Sequence, residues 1–197
     1  IIPISVIIPT LNRHNTLIQT VRSLCSGTSI PKQIVIIDQS SVPIEVVEFR
    51  GLHGTEIEIM HPAIASSTYA RNEGIKAATE EVLLFCDDDI LINEETLEKL
   101  FVRISDSGVA LVSAIHYRDN AVFEGPKKHD MLRDLGGTLL GMKKFWRKDG
   151  YVVKSNMRGR YASGISTVVN TEWAMGYFFC IKRSILKNLD HYFDEHL

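Results

Sequence analysis

A length of 197 residues, with 45% hydrophobic and 23% charged residues, is typical of an ordinary globular protein with one sizeable core. The formal net charge of −2 excludes a global attraction to nucleic acid or to an anionic membrane, so any such attraction has to be local. Neither a membrane-spanning apolar run nor a signal-peptide pattern is visible, although the chain begins at Ile1 rather than Met and a removed leader stays open.

The first 115 residues alternate between short β-branched runs and helical patterns. Strands are predicted at Ile4–Ile8, Gln33–Ile37, Glu56–Met60, Val82–Cys86 and Val109–Ile115. Helices are predicted at Asn15–Cys25, Val42–Phe49, Tyr69–Ala78 and Asn93–Ile104. Ser66 or Ser67 is the expected N-cap of the third helix, and Asn93 that of the fourth. Apolar strands separated by helices predict an α/β fold whose mostly parallel sheet is covered on both faces.

The alternation ends after residue 116, and basic residues outnumber acidic ones over residues 116–163. We interpret this segment as a long insertion. It is either a solvated face or a surface that attracts a phosphorylated or lipid-linked acceptor, or anionic headgroups at the cytoplasmic face of a membrane. Regular structure is expected to resume with a strand over Trp173–Ile181 and a short helix over Arg183–Leu189. The three cysteines lie in apolar stretches and predict buried free thiols in a reducing, cytoplasmic compartment.

Polar residues follow three of the predicted strands at the point where each strand ends. The clusters are Thr10–Arg13, Asp38–Ser41 and Asp87–Asp89. Because ligands of parallel sheets bind beyond the carboxyl ends of the strands, we expect these clusters to meet at one edge of the sheet. This convergence is the strongest indication of a functional site that the residues provide by themselves.

Three consecutive carboxylates at the end of a buried strand repel one another unless a positive charge compensates them. Mg²⁺ or Mn²⁺ would do so, because these cations favour carboxylate oxygens together with water and phosphate. In an extended segment Asp87 and Asp89 point the same way, so these two are expected to share a metal site while Asp88 faces elsewhere. The alternative is a solvated acidic turn that caps the following helix.

Four other residues near the strand ends have both a functional and a structural interpretation. Asp38 can accept hydrogen bonds from a base or a ribose, or it can form an Asx turn. Thr10 and Asn12 are either turn formers or nucleotide contacts. Arg71 lies in the first turns of a helix, where a cation opposes the helix dipole, which indicates an anion such as diphosphate. The alternative for Arg71 is an ion pair with Glu73 or with one of the aspartates.

Several segments together resemble family 2 glycosyltransferases in order and spacing. They are S-V-I-I-P-T-L-N-R at Ser5–Arg13, V-I-I-D-Q-S-S at Val35–Ser41, A-R-N-E-G-I-K-A-A at Ala70–Ala78 and L-F-C-D-D-D at Leu84–Asp89. The resemblance returns at Ala174–Leu186 and Phe193–Glu195. It implies one domain with the GT-A fold, in which residues 1–115 would be the nucleotide-sugar-binding half and residues 116–197 the acceptor-side half.

The same resemblance implies an inverting, metal-dependent transfer from a nucleoside-diphosphate sugar, most often a UDP-sugar, to a glycan or lipid-linked acceptor, with no nucleic-acid partner. By matched position, Asp89 with Asp87 beside it would hold Mn²⁺ or Mg²⁺, Asp87 would approach the ribose, and Arg71 would lie near the base or the diphosphate. The full set of candidate nucleotide-sugar contacts is Pro9, Thr10, Asn12, Asp38, Arg71, Asp87 and Asp88.

The chain departs from the family pattern at two places. Gln39 stands where members usually have an aspartate. The E-D pair that usually contains the catalytic base would follow Phe193–Glu195, so the base is expected beyond Leu197 in a chain truncated at its C-terminal end, with Asp194 and Glu195 as substitute candidates. A non-catalytic nucleotide-sugar binder therefore stays open. A sugar nucleotidyltransferase is disfavoured, because its usual Gly-rich phosphate loop after the first strand is missing here.

Overall fold

The computed structural model describes residues 1–114, 152–153, 158–159, 176–187 and 192–194. The strands within these ranges are β1 (Ile2–Thr10), β2 (Pro31–Asp38), β3 (Glu56–Met60), β4 (Val82–Cys86), β5 (Leu111–Ser113), β6 (Val152–Val153), β7 (Arg158–Gly159) and β8 (Phe178–Lys182). The helices are α1 (His14–Leu24), α2 (Ser67–Ala77), α3 (Thr96–Ser105) and α4 (Arg183–Leu186), with a short 3₁₀ helix at Val46–Phe49.

A six-stranded sheet in the order β3-β2-β1-β4-β8-β5 forms the centre of the fold. Strands β1 to β4 are mutually parallel, whereas β8 runs antiparallel to both β4 and β5. The predicted α/β class with a mostly parallel sheet is therefore confirmed. Its mixed edge is possible because β8 enters the sheet from the distant second half of the sequence.

The chain divides into two compact units, one formed by residues 1–114 and 175–197 and the other by residues 115–174. Strands β6 and β7 of the second unit pair as a short antiparallel ribbon. The expectation of a single domain with halves at 1–115 and 116–197 stays a prediction. The first unit contains the whole six-stranded sheet and all the strand ends discussed below.

The two faces of the sheet bury different sets of apolar side chains. On one face the even-numbered apolar residues of β1 pack with buried residues of α1 and α3, among them Leu17, Val21, Leu97 and Ile104. On the other face Ile7 packs with residues of α2, β4 and α4. A Cβ added to Gly74 of α2 would lie 2.3 Å from Ile7 Cγ2. Only glycine therefore lets α2 approach β1 this closely, and that approach places Arg71 near the end of β4.

Several element boundaries differ from the predictions. The fifth strand is shorter than Val109–Ile115, and β8 begins at Phe178 rather than at Trp173, although residues 173–175 lie outside the described ranges. The short helix α4 ends at Leu186, before the expected Leu189, and Lys187 is already a turn residue. The expected helix over Val42–Phe49 is only the 3₁₀ turn at Val46–Phe49. The Ile44 N–H before it donates to the Asp38 carboxylate instead of to a helical carbonyl.

The start of α3 was also predicted wrongly. The N-cap is Glu95 rather than Asn93, and it makes no side-chain capping bond. The Asn93 carbonyl accepts a turn hydrogen bond from the Thr96 N–H at 3.0 Å, and Thr28 N–H binds the Glu94 carbonyl at 3.0 Å. This contact with a distant loop holds residues 93–95 in a turn, so the helix begins later. The N-cap prediction for α2 is confirmed at Ser66, whose hydroxyl accepts from the Tyr69 N–H.

The three cysteines are free thiols, as predicted. Cys86 and Cys180 are buried, whereas Cys25 is half-buried. Burial raises the pKa of the Cys180 thiol to about 12, so this group stays protonated and packs as a small apolar side chain. Within the residues that the structure describes, each helix is too short or too polar to cross a lipid bilayer.

Candidate functional site

The polar clusters that follow β1, β2 and β4 meet at one edge of the sheet, as the sequence predicted. Thr10 lies opposite Asp38 in the parallel pairing of β1 with β2, and its hydroxyl donates to Asp88 Oδ2 at 2.7 Å. The Asn12 N–H donates to Ser40 Oγ at 2.7 Å. These bonds join the three strand ends directly, so the convergence is a matter of contact and not only of position.

Asp88 is the buried member of the cluster, and only 6% of its side chain is exposed. Its Oδ2 accepts from Thr10 and its Oδ1 accepts from Arg13 Nη1 at 2.8 Å. Its backbone carbonyl accepts from the Thr20 hydroxyl at 2.9 Å. Asp88 therefore ties the end of β4 to β1 and α1. Its assignment as a nucleotide-sugar contact stays a prediction, which this burial disfavours.

Asp87 and Asp89 have side chains that reach solvent, with exposed fractions of 38% and 44%. Asp87 Oδ1 accepts from Arg71 Nη2 at 3.1 Å, and Asp89 Oδ2 accepts from Arg13 Nη2 at 2.8 Å. Partial burial raises the pKa of Asp87 more than the Arg71 charge lowers it, and the adjacent carboxylates raise it further. A carboxylate whose pKa is raised at a strand end is a typical candidate for ligand binding.

The two arginines change the argument for a metal. The repulsion among the three carboxylates is already compensated by Arg13 and Arg71, so a metal is not needed to explain the cluster. Among the described residues no group of three His, Cys, Asp or Glu side chains is arranged to hold a metal ion. The donor set of Asp87 and Asp89 nevertheless fits Mg²⁺ or Mn²⁺, because these ions bind through one or two carboxylates while substrate phosphates and water complete the shell.

Arg71 is the residue of α2 that reaches furthest into this edge. Besides Asp87 its Nη2 donates to the Gly176 carbonyl at 3.3 Å, and its guanidinium lies 5.6 Å from the centre of the Phe193 ring. Its Nε is buried, and none of the described residues accepts a hydrogen bond from it. Of the two interpretations, the ion pair with an aspartate is observed. The unsatisfied donor is consistent with the second, an anionic ligand that is not part of the protein.

Asp38 is buried and forms the Asx turn that was its structural interpretation. Its Oδ1 accepts from the Ser40 N–H at 3.0 Å and its Oδ2 from the Ile44 N–H at 2.8 Å. Burial raises the pKa of Asp38, but the hydrogen bonds from Ser40 and Ile44 and the nearby His14 outweigh it, so the pKa is lowered. The carboxylate therefore holds the loop after β2 in place, and its contact with a nucleoside stays a prediction.

Two histidines near Asp38 were missed by the sequence analysis. His61 Nδ1 lies 3.5 Å and His14 Nε2 lies 3.9 Å from Asp38 Oδ2. His61 directly follows β3, so the rule that singled out the residues after the other strands applies to it equally. His14 directly follows the Thr10–Arg13 cluster and begins α1.

The loops after β1 and β2 are held together by Asn12 and Gln39. Asn12 has a φ of 56°, in the left-handed region that asparagine tolerates better than most residues. Its side-chain oxygen accepts from the Ser41 N–H at 3.0 Å. Gln39, which replaces the aspartate usual in the pattern, donates to the Ile64 and Ser66 carbonyls and so fixes the segment before α2. Pro9 is half-buried within β1, where it lies opposite Ile37 of β2.

An open cleft of about 560 Å³ lies between the start of α1 and the loop after β2. Residues 12–16 line it together with Ser41 and Val42. Its volume is within the range that binds small ligands, roughly 300–1,000 Å³. Arg13 belongs both to this lining and to the aspartate cluster, so the cleft borders the carboxylates at that residue.

The segment 192–194 is attached to the site through α2. Asn72 Nδ2 donates to the Phe193 carbonyl at 2.9 Å, and the Phe193 N–H donates to Asn72 Oδ1 at 3.0 Å. The Phe193 ring also packs edge-on against Phe85 of β4, with centroids 5.2 Å apart. The exposed Asp194 follows directly. Glu195 and almost all of the basic segment 116–163 lie outside the described residues, so their predicted roles stay predictions.

Comparison with known proteins adds relatives by sequence. The pre-mycofactocin glycosyltransferase of Mycobacterium tuberculosis H37Rv is 35% identical over 111 residues, which are 56% of this chain and 23% of that protein. The uncharacterized glycosyltransferase YibD of Escherichia coli K12 is 31% identical over 88 residues, 44% of this chain and 26% of that protein. The matched part thus spans about a quarter of these relatives.

Solved structures share the fold. The mannosyltransferase PcManGT from Pyrobaculum calidifontis, in complex with GDP-Man and Mn²⁺, superposes with a TM-score of 0.62 at 18% identity, covering 96% of this chain and 47% of that one. Staphylococcus aureus TarS 1–349 in complex with UDP has a TM-score of 0.62 at 22% identity, covering 100% and 51%. The predicted GT-A fold is therefore confirmed. A profile described as Glycosyl transferase family 2 matches residues 5–189, so the chain belongs to that family.

Proposed function

We propose that the protein is an inverting, metal-dependent glycosyltransferase that moves a sugar from a nucleoside-diphosphate sugar, preferably a UDP-sugar, to a hydroxyl of a glycan or lipid-linked acceptor. One observation carries this proposal. Two solvent-reaching carboxylates lie at the carboxyl edge of the sheet, Asp87 paired with Arg71 and Asp89 paired with Arg13, which also lines the open cleft. This is the combination of charges that a sugar diphosphate with its cation requires.

The contacts suggest which residues bind each part of the donor. The cleft lined by Asn12 and by the loop that Asp38 holds has the size for the nucleoside, which Pro9 and Thr10 would also contact. Arg71 would take the diphosphate, which supplies the acceptor that its buried Nε lacks. Family membership, together with relatives named as glycosyltransferases, supports transfer rather than storage of the sugar.

Asp89 and Asp87 would hold Mn²⁺ or Mg²⁺, which supplies positive charge to the nucleoside diphosphate as it leaves. The protein's own part is to orient that leaving group and to stabilise its charge. Arg71 is already held in place for this by Asp87, the Gly176 carbonyl and the Phe193 ring. A guanidinium that is positioned before the reaction costs no reorganisation when the charge develops.

Inverting transfer also needs a carboxylate that accepts the proton of the attacking hydroxyl. We keep the proposal that this base lies beyond Leu197, with Asp194 and Glu195 as substitutes. Asp194 is exposed and follows Phe193, which is anchored to Asn72 beside Arg71. If Asp194 is the base, Asp194→Asn will abolish turnover and leave nucleotide binding unchanged.

We also propose a cellular compartment and a surface to which the protein is attracted. Three free thiols favour a reducing, cytoplasmic compartment. The basic segment 116–163 is proposed to bring the protein to an anionic membrane surface or to a phosphorylated acceptor. Sedimentation with vesicles containing phosphatidylserine at low and at high salt tests this attraction, which must weaken as salt increases.

A ligand screen by thermal shift tests the proposed donor. UDP-, GDP- and dTDP-sugars are added with and without Mn²⁺, and bound ligand must stabilise the fold, by about 2.7 kcal/mol at a hundredfold excess over Kd. Asp89→Ala should remove the Mn²⁺-dependent part of the shift. Asp106→Ala is the matched control, since Asp106 is an exposed aspartate paired with Arg103 at the far end of α3.

The screen also has a clear negative outcome. If no nucleotide raises the melting temperature, or if Asp89→Ala leaves the Mn²⁺-dependent shift intact, the metal–diphosphate site is refuted. Release of nucleoside diphosphate in the presence of acceptors then separates an enzyme from a nucleotide-sugar binder, because a binder is stabilised without releasing product.

A further inference from the structure

Arg13 connects the start of α1 to the aspartate cluster. It is the N-cap residue of the helix, and its carbonyl accepts from the Leu17 N–H at 3.0 Å and from the Thr16 hydroxyl at 2.8 Å. Its guanidinium divides between two carboxylates, with Nη1 2.8 Å from Asp88 Oδ1 and Nη2 2.8 Å from Asp89 Oδ2.

The two ion pairs differ in strength because their surroundings differ. Asp88 is 6% exposed and is also bound by the Thr10 hydroxyl, so its pair with Arg13 is hard to break. Asp89 is 44% exposed, and within the described residues Arg13 is the one group that donates to it. Such a solvent-reaching pair contributes little to stability and is easily exchanged for another partner.

We propose that Arg13 is a built-in counter-ion of Asp89, which it releases to a divalent cation only when a diphosphate arrives with that cation. This inference rests on the proposed function. It adds that Arg13 competes with the divalent cation for Asp89. Nη1 of the guanidinium stays bound to Asp88 while Nη2 leaves Asp89. The freed Nη2 then lies beside the cleft, where it can donate to a phosphate oxygen.

Two properties follow from this competition. The free protein binds Mn²⁺ poorly, because the bare ion has to displace a positive charge from Asp89 and then remain next to it. The diphosphate removes this obstacle, since its negative charge gives both the cation and Arg13 a new partner. Mn²⁺ and nucleoside diphosphate therefore bind cooperatively, and by linkage each raises the affinity for the other by the same factor.

Mn²⁺ titrations followed by electron paramagnetic resonance test the proposal without any turnover. Arg13→Met should bind Mn²⁺ alone about three- to tenfold more tightly than the natural protein, as expected when one unit charge beside the ion is removed. Arg22→Met is the matched control, because Arg22 is exposed in the last turn of the same helix, roughly 13 Å along its axis. It should leave the Mn²⁺ affinity unchanged.

A second variant covers the risk that Arg13→Met does not fold, since it leaves Asp88 without its cation. Arg13→Met combined with Asp88→Asn removes both charges of the buried pair and keeps an acceptor for Thr10. Its Mn²⁺ affinity should still exceed that of the natural protein, but by less than in Arg13→Met, because the negative charge of Asp88 beside the ion is lost together with the competing positive charge of Arg13. In both variants added UDP should raise the Mn²⁺ affinity by a smaller factor than in the natural protein, because the competitor that created the cooperativity is gone.

Each outcome decides the question. Tighter Mn²⁺ binding in the Arg13 variants but not in Arg22→Met supports the counter-ion. Equal affinity in all proteins, with UDP still raising it, refutes the counter-ion and leaves the proposed function standing. If Mn²⁺ does not bind to any of the proteins even with UDP, both the proposed metal–diphosphate site and the inference are refuted.

Discussion

Replacing Phe193 with leucine tests whether the segment 192–194 positions Arg71. The substitution keeps an apolar side chain but removes the ring that packs edge-on against Phe85, with centroids 5.2 Å apart, and lies 5.6 Å from the Arg71 guanidinium. The lost aromatic pair contributes about 0.5–1.5 kcal/mol and the cation–π contact about 0.5–1 kcal/mol. The free energy of unfolding should therefore fall by roughly 1–2.5 kcal/mol, as measured by urea denaturation.

The effect on binding is separated from the effect on stability by a matched variant. Phe179 also packs against Phe85, with centroids 4.9 Å apart, whereas the ring that lies against the Arg71 guanidinium is that of Phe193. Phe179→Leu should lower the stability to a similar extent and leave the affinity for UDP unchanged. Phe193→Leu should weaken UDP binding about two- to fivefold by isothermal titration, and Phe193→Tyr should restore it, because a tyrosine ring also attracts the guanidinium.

The reasoning is refuted if both leucine variants weaken UDP binding equally, since that would trace the loss to general loosening of the sheet. It is also refuted if Phe193→Leu lowers stability without any change in UDP affinity. In that case the ring packs against α2 and β4 but does not determine where Arg71 points.

Two further predictions concern the structural supports of the site. Asp38→Asn should lower the free energy of unfolding by about 1–3 kcal/mol at pH 7. The pKa of Asp38 is lowered from 3.8 in the folded state, so its charged form adds stability that is fully present above 3.8. In urea denaturation the difference from the natural protein should shrink as the pH falls from 3.8 and be lost once the pH is below the lowered folded-state pKa. A difference that persists at low pH would contradict this. Gly74→Ala should destabilise the fold by about 1–3 kcal/mol through its clash with Ile7, despite the better helix propensity of alanine. Gly108→Ala, where a Cβ meets nothing within 4 Å, is the control, and equal effects of the two substitutions would refute the packing argument.

Much of the fold could be predicted from the sequence, because buried strands appear in it as local runs of apolar residues. Strands β1, β2 and β4 are continuous apolar runs, and such runs are buried on both faces of a parallel sheet. The meeting of Thr10, Asp38 and the aspartates followed from a general rule about the edges of parallel sheets. The same rule would have added His61, which follows β3 at the same edge.

The boundaries that were predicted wrongly depend on contacts between distant residues. Helix α3 begins at Thr96 because Thr28 holds the Glu94 carbonyl, and no pattern near Asn93 records that contact. Similarly, the segment before Phe49 does not form the predicted helix, because the Ile44 N–H donates to the Asp38 carboxylate. Intrinsic helix propensity contributes little to the free energy of a local conformation, so a few tertiary hydrogen bonds outweigh it.

The chemistry of the aspartate cluster was decided by the tertiary structure. The expectation that the two outer aspartates face the same side assumed an extended segment, whereas Asp88 and Asp89 lie in a turn. The sequence by itself determined that three carboxylates follow β4. It did not determine that Arg13 and Arg71 neutralise them, or that Asp88 is a buried link while Asp87 and Asp89 reach solvent. The physical reason is that hydrophobic periodicity records whether a segment is buried, whereas the partner of a charge is whatever side chain the folded backbone brings within about 3 Å of it.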